Sequence, residues 1–162
     1  MPGPWLVYGY GNHMVAMEVV MTVPDRIERQ IELAHRPEAV WAALTTAEGL
    51  GGWFGSEADV DLRPGGEAHV RWGDEHSATL WIQVVEPPSR FAYTWAIYGL
   101  PESDPRRTYV EFTLVPDGDG TRLTVVETGF AQLPDELKAT YDGNVSGWRK
   151  ELGELVDYLD AA

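Results

Sequence analysis

The stretch "PDELKATYDGNVSGWRKELGELVDYL", Pro134–Leu159, decides the fold. Leu137, Tyr141, Val145, Trp148, Leu152, Leu155, Val156 and Leu159 recur at intervals of three and four residues. That spacing predicts an amphipathic helix from Pro134 onward, about six or seven turns at roughly 3.6 residues each. Pro134 suits its first turn, and Asp135 and Glu136 favour its positive end. Gly143 and Gly147 interrupt the pattern, each costing up to ~1 kcal/mol relative to alanine. Their spacing puts both on one side, where they either permit close backbone approach or leave room for something else.

Working outward, the preceding segments alternate instead of repeating. "RTYVEFTLV" (107–115) and "TRLTVVETGF" (121–130) flank "PDGDG", a hairpin signal. Upstream, "SEADVDL", "EAHVRW", "SATLWIQVVE" and "RFAYTWAIY" read as strands. They are separated by the turn residues "RPGG", "GDEH" and "PPS", and "GLPESDPR" forms a loop. "DRIERQIEL" (25–33) alternates as a first strand, and "HRPEAVWAALT" (35–45) opens with Pro37 and puts Val40, Trp41 and Leu44 on one helical face. Gly49, Gly51 and Gly52 then break regular structure, with Trp53-Phe54 in a short second helical turn.

One strand, short helices, roughly six more strands and a long helix is an α+β order, and consecutive hairpins make an antiparallel sheet. The economical packing wraps a curved sheet around the terminal helix. A bent surface cannot touch a straight helix along its whole length, so side chains fill the gap or a cavity remains. Strand parity assigns to the concave side Phe91, Tyr93, Trp95 and Ile97; Val110, Phe112 and Leu114; Leu123, Val125 and Glu127; and Ala68, Val70 and Trp72. Tyr141, Val145 and Trp148 face them from the helix. These aromatics form either an ordinary core or the wall of a pocket, an apolar surface with polar handles. Trp41 reads as core, and Trp53, beside the glycine break, as a residue of the pocket mouth.

With 162 residues, a 44% apolar share and 11% aromatics, the chain is one globular domain, residues 25–162, preceded by an extension, residues 1–24, expected to be poorly ordered. A formal charge of −14 argues against nucleic acid and anionic membranes as partners. The absence of cysteine removes disulfides and thiol chemistry and fits a cytoplasmic location. The N-terminal stretch has no basic region, and Glu18 interrupts its apolar run, so neither signal peptide nor membrane insertion is expected.

On the residues "VWAALTTAEGLGGWFG" (40–55), "PPSRFAYTW", "GDGTRLTVVETGF" and "GWRKELGELVDYL", found in that order, the chain resembles the START-like superfamily, also called SRPBCC. It is most similar to the branch named after the activator of the heat-shock protein 90 ATPase. The resemblance covers Arg26 to Leu159. It implies a helix-grip fold, a sheet of about seven antiparallel strands around the last helix with a pocket between. Relatives include binders of lipids and other apolar molecules, aromatase/cyclase-like proteins and chaperone-associated domains, so the fold does not choose an activity.

The chemistry is sparse. His13, His35, His69 and His76 show no metal-ligand spacing, although His69 and His76 flank one turn; no metal and no cofactor are expected. No serine lies in a nucleophile-elbow context, and no glycine pattern marks a phosphate loop. Glu127 shares parity with Leu123 and Val125, so it points inward, and a carboxylate in an apolar pocket would have a raised pKa and be a weak catalytic candidate. Tyr141 and Asn144 could supply polar contacts to a ligand or simply satisfy groups of the sheet. The candidate ligand-binding residues are therefore Trp53, Trp72, Tyr93, Trp95 and Phe112, with Glu127, Tyr141, Asn144, Val145 and Trp148. The favoured function is binding of a small apolar or aromatic ligand without catalysis. The alternatives are a cyclase, isomerase or hydrolase using an inward acid, and a protein-interaction module with a chaperone partner; a homodimer is compatible with each.

Overall fold

Strand β3 (Arg26–Leu33) alternates as its sequence dictates, with Ile27 and Leu33 buried and Glu28, Gln30 and Glu32 exposed. In this computed structural model the described residues are 24–162, together with the backbone of β1 (Trp5–Tyr10) and β2 (His13–Glu18), which pair antiparallel. Apart from that hairpin, the expectation for residues 1–24 lies outside the described residues.

Helix α1 (Pro37–Thr45) starts on Pro37 and buries Val40, Ala43 and Leu44. A single turn, α2 (Ala47–Gly49), is capped by Thr46, whose Oγ1 accepts from the Gly49 amide at 3.0 Å. It runs into one π-helical turn over Leu50–Phe54, closed by the Gly55 amide donating to the Leu50 carbonyl at 2.8 Å. Gly49 is required by contact: a Cβ there would lie 2.5 Å from the Ala43 carbonyl oxygen. The glycine break is thus a tight fold-back of α2 against α1.

Strands β4 (Glu57–Val60), β5 (Glu67–Trp72), β6 (His76–Glu86), β7 (Arg90–Ala96), β8 (Arg107–Asp117) and β9 (Gly120–Thr128) follow. The curved sheet has seven strands in the order β3-β9-β8-β7-β6-β5-β4, antiparallel throughout. The first strand therefore pairs with the last, and α1 with its short companions carries the chain from one sheet edge to the other.

Register puts Ile27, Glu127, Val110, Tyr93 and Ile82 in one cross-strand row, all buried. Above it lies α3 (Ala139–Asp160), which buries Trp148, Leu152, Leu155 and Leu159. The helix begins later than its periodicity implies. Residues Asp135–Leu137 form a 3₁₀ turn in which Leu137 and Lys138 donate to Pro134 and Asp135. Such tighter turns commonly lead into an α-helix. No helix of the described residues is long and apolar enough to cross a membrane.

Candidate functional site

The sheet's concave row carries one charged residue, Glu127, whose exposure is 0%. Four donors converge on it. The indole N–H of Trp95 donates to Oε2 at 2.8 Å and that of Trp148 to Oε1 at 2.8 Å. The Asn144 amide donates to both oxygens at 3.1 and 3.2 Å, and the Thr108 hydroxyl donates to Oε2 at 2.6 Å. An acceptor-only carboxylate is the form such a ring of donors satisfies, and charge-assisted hydrogen bonds offset the cost of burying it. Donors from β7 and β8 meet donors from α3 at this one group, so it fastens the helix to the sheet.

Beyond this junction sheet and helix diverge, leaving a hollow of about 780 Å³. Phe54, Trp72, Trp95 and Trp148 form an aromatic wall. Phe54 stacks on Trp95 and on Trp148, with centroids 5.9 Å apart in both pairs, and meets Trp72 edge-on at 5.2 Å. The helix presents a single stripe to the hollow: Thr140, Gly143, Asn144, Gly147, Trp148 and Glu151. A Cβ at Gly143 or Gly147 would meet nothing within 4 Å, so these glycines leave room and do not serve close backbone approach. At the rim His76 packs against Trp72 and Tyr98. Glu102, from the loop after β7, is held to β6 by the Thr79 amide at 2.9 Å.

Of the residues expected at a ligand site, Trp72, Trp95, Asn144 and Trp148 line this hollow, and Glu127 lies behind two of them. Trp53 is placed elsewhere: its ring is buried and its N–H donates to the Ala43 carbonyl at 2.7 Å. The π turn rotates the next residue, Phe54, into the position expected for it. Tyr93 and Phe112 are buried in the sheet core, below the hollow. Tyr141 packs edge-on against Phe130 and donates its hydroxyl to the Arg26 carbonyl at 3.2 Å, and Val145 packs against the core from the same helix. His69 turns outward to Asp59 at 2.8 Å and Glu67, mainly the former holding its pKa above the usual value, and does not approach His76.

Glu151 was not anticipated, although it lies three residues after Trp148 and seven after Asn144 on the helix face already identified. Its Oε2 is buried without a hydrogen-bond partner among the described residues. Burial, then the neighbouring Glu154 carboxylate, push its pKa up to about 8, with Lys150 opposing. Burial, then the charges of Glu127 and Glu151, hold the Tyr93 phenol well above its ordinary value. The titratable groups of the hollow are therefore acids, with His76 at the edge.

The model of the family described as "Activator of Hsp90 ATPase homolog 1-like protein" matches residues 34–160. No curated protein matches the sequence significantly. Among solved structures, protein MLL2253 from Mesorhizobium loti is 26% identical with a TM-score of 0.72, over 85% of this chain and 98% of its own. CalU16 from Micromonospora echinospora is 26% identical with a TM-score of 0.63, over 86% of this chain and 81% of its own. The Aha1 dimer from Colwellia psychrerythraea shares the fold at 21% identity, with a TM-score of 0.69 over 83% of this chain and 95% of its own. The seven-stranded grip on α3 and the match across most of the domain lead to one assignment: the chain belongs to the family of Activator of Hsp90 ATPase homolog 1-like proteins.

Proposed function

We propose that this protein binds a small apolar or aromatic molecule in the hollow between the sheet and α3. One observation carries the reading: the helix face over an aromatic-walled space of about 780 Å³ is interrupted by two glycines, Gly143 and Gly147, where an added Cβ would meet nothing within 4 Å. Interior helix glycines are unfavourable, and a core selected only for stability would fill such a space. The volume falls in the range of small-molecule sites, which are apolar with a few placed polar groups. Glu127 supports binding more directly than catalysis, because its oxygens are occupied by four donors behind the wall.

The test uses N-phenyl-1-naphthylamine, a neutral fluorescent aromatic, together with native mass spectrometry of molecules that co-purify. Saturable binding of one probe per chain is expected, lost in Gly147→Leu, whose side chain would project into the hollow while circular dichroism stays native. Absence of both saturable binding and a co-purifying molecule would overturn the reading. So would probe binding that is indifferent to Gly147→Leu.

A further inference from the structure

We propose that the occupant of the hollow is an organic cation, an alkylated ammonium group carried on an apolar or aromatic body, held by aromatic faces and carboxylates together. This rests on the binding reading above and adds the charge of the ligand. Three observations on separate elements carry it.

The first is the wall. Phe54, Trp72, Trp95 and Trp148 converge from the π turn, β5, β7 and α3 on one space. Aromatic faces attract cations through their quadrupole, most strongly for tryptophan and when water is excluded.

The second is what lies behind the wall. Trp95 and Trp148 both spend their N–H groups on Glu127, at 2.8 Å each. Their polar edges are thus engaged by Glu127, outside the hollow, while both residues line it and Phe54 stacks on each. Donation to an anion polarises an indole toward greater electron density, which strengthens its pull on a cation. The buried Glu127 charge adds directly to the same field.

The third is the charge census. Glu102 and Glu151 line the hollow, and among the described lining residues there is no lysine or arginine. Lys150, next to Glu151 in sequence, is largely exposed and faces Glu154 at 3.9 Å. His76 is the lining group able to become positive, and it lies at the rim between Trp72 and Tyr98. A carboxylate ligand would enter a space bordered by acids with no countercharge, a costly burial. A cation would stabilise the ionised form of Glu151, which otherwise keeps its proton up to about 8, and would face a buried Oε2 that has no hydrogen-bond partner among the described residues.

The experiment compares three naphthyl probes, the cation and the neutral compound of nearly equal shape, by calorimetry at 0.15 M salt, where distant surface charges are screened. These are (2-naphthylmethyl)trimethylammonium, its neutral neopentyl isostere and 2-naphthylacetate. The cation is expected to bind at least about tenfold more tightly than the neutral isostere, the anion most weakly. Glu151→Gln should shrink the cation-to-neutral affinity ratio severalfold, and Gly147→Leu should abolish cation binding. A neutral isostere that binds as tightly as the cation, with both lost in Gly147→Leu, overturns this inference and leaves the binding reading standing. Cation binding that survives Gly147→Leu is surface attraction to an acidic chain and also overturns it. Failure of all three probes to bind removes the binding reading and this inference with it.

Discussion

Glu127 shows how one residue can couple a sheet to a helix. Its neighbours in the cross-strand row are apolar, yet Trp95, Thr108, Asn144 and Trp148 each bring a donor to it. Removing the acceptor strands all four. Glu127→Ala should therefore destabilise by at least about 3 kcal/mol, the combined cost of a cavity and several unpaired donors. Glu127→Gln keeps one oxygen but turns an amide N–H₂ toward an indole N–H, so its cost should fall below that of alanine. Thr108→Val loses one charge-assisted bond at nearly constant shape and should cost about 2 kcal/mol. Urea unfolding would establish this order, and a Glu127→Gln protein as stable as the parent would show that the donors have other acceptors. The inward direction of Glu127 was legible from strand parity alone. Its partners were not, because residues as distant in sequence as Trp95 and Trp148 meet through the sheet register and the placement of α3.

At the scale of the element, α3 carries three glycines whose added Cβ would meet nothing, Gly143, Gly147 and Gly153. The first two line the hollow, while Gly153 does not. That contrast separates helix stability from function within one helix. Replacing glycine by alanine in a helix interior should stabilise by roughly 0.5–1 kcal/mol, partly by narrowing the unfolded ensemble. Thermal unfolding midpoints should thus rise by about 2–4 °C per kcal/mol in both Gly147→Ala and Gly153→Ala. Only Gly147→Ala should weaken the neutral probe, since only it narrows the hollow. Equal probe binding in the two variants would mean that the glycine face is not the ligand's wall. Sequence periodicity located this helix and put both inner glycines on one side. It could not choose between close packing and open space, because that depends on where the sheet bends away. The same limit explains Trp53 and Phe54. Helical spacing cannot register the extra residue of a π turn, which moves the role assigned to one ring onto the next. Glu151 shares this helical face but is a polar position between apolar ones, and a hydrophobic pattern does not mark such a position.

For the molecule as a whole, the order of elements was readable because hairpin signals and alternation survive in the sequence of an antiparallel sheet. The shape of the hollow was not, since it is what remains after every element has packed. Net charge is a second whole-molecule property, and −14 implies self-repulsion in the folded state. Raising salt from 0.02 to 0.5 M, concentrations spanning roughly the range from weak to strong screening, should therefore increase the unfolding midpoint. Glu151 adds a pH dependence that can be isolated from this background. In the folded protein it keeps its proton up to about 8, through burial and the adjoining Glu154, whereas an unperturbed glutamate releases it near 4.5. Lys150 on α3 opposes the shift, and Tyr93 of β7 and Glu127 of β9 lie on the sheet that α3 covers. Between those two values the folded state binds more protons than the unfolded chain, so stability falls as pH rises. Below about 4.5 both states are protonated and the contribution is constant; above about 8 both are ionised and the loss is complete. Glu151→Gln stays neutral throughout. Its stability relative to the parent should therefore be flat in acid, grow steadily from about pH 4.5 to about 8, and then level off. Urea midpoints of the two proteins measured across this interval at fixed ionic strength test the point. A difference that does not change with pH would show that Glu151 titrates as it does in the unfolded chain.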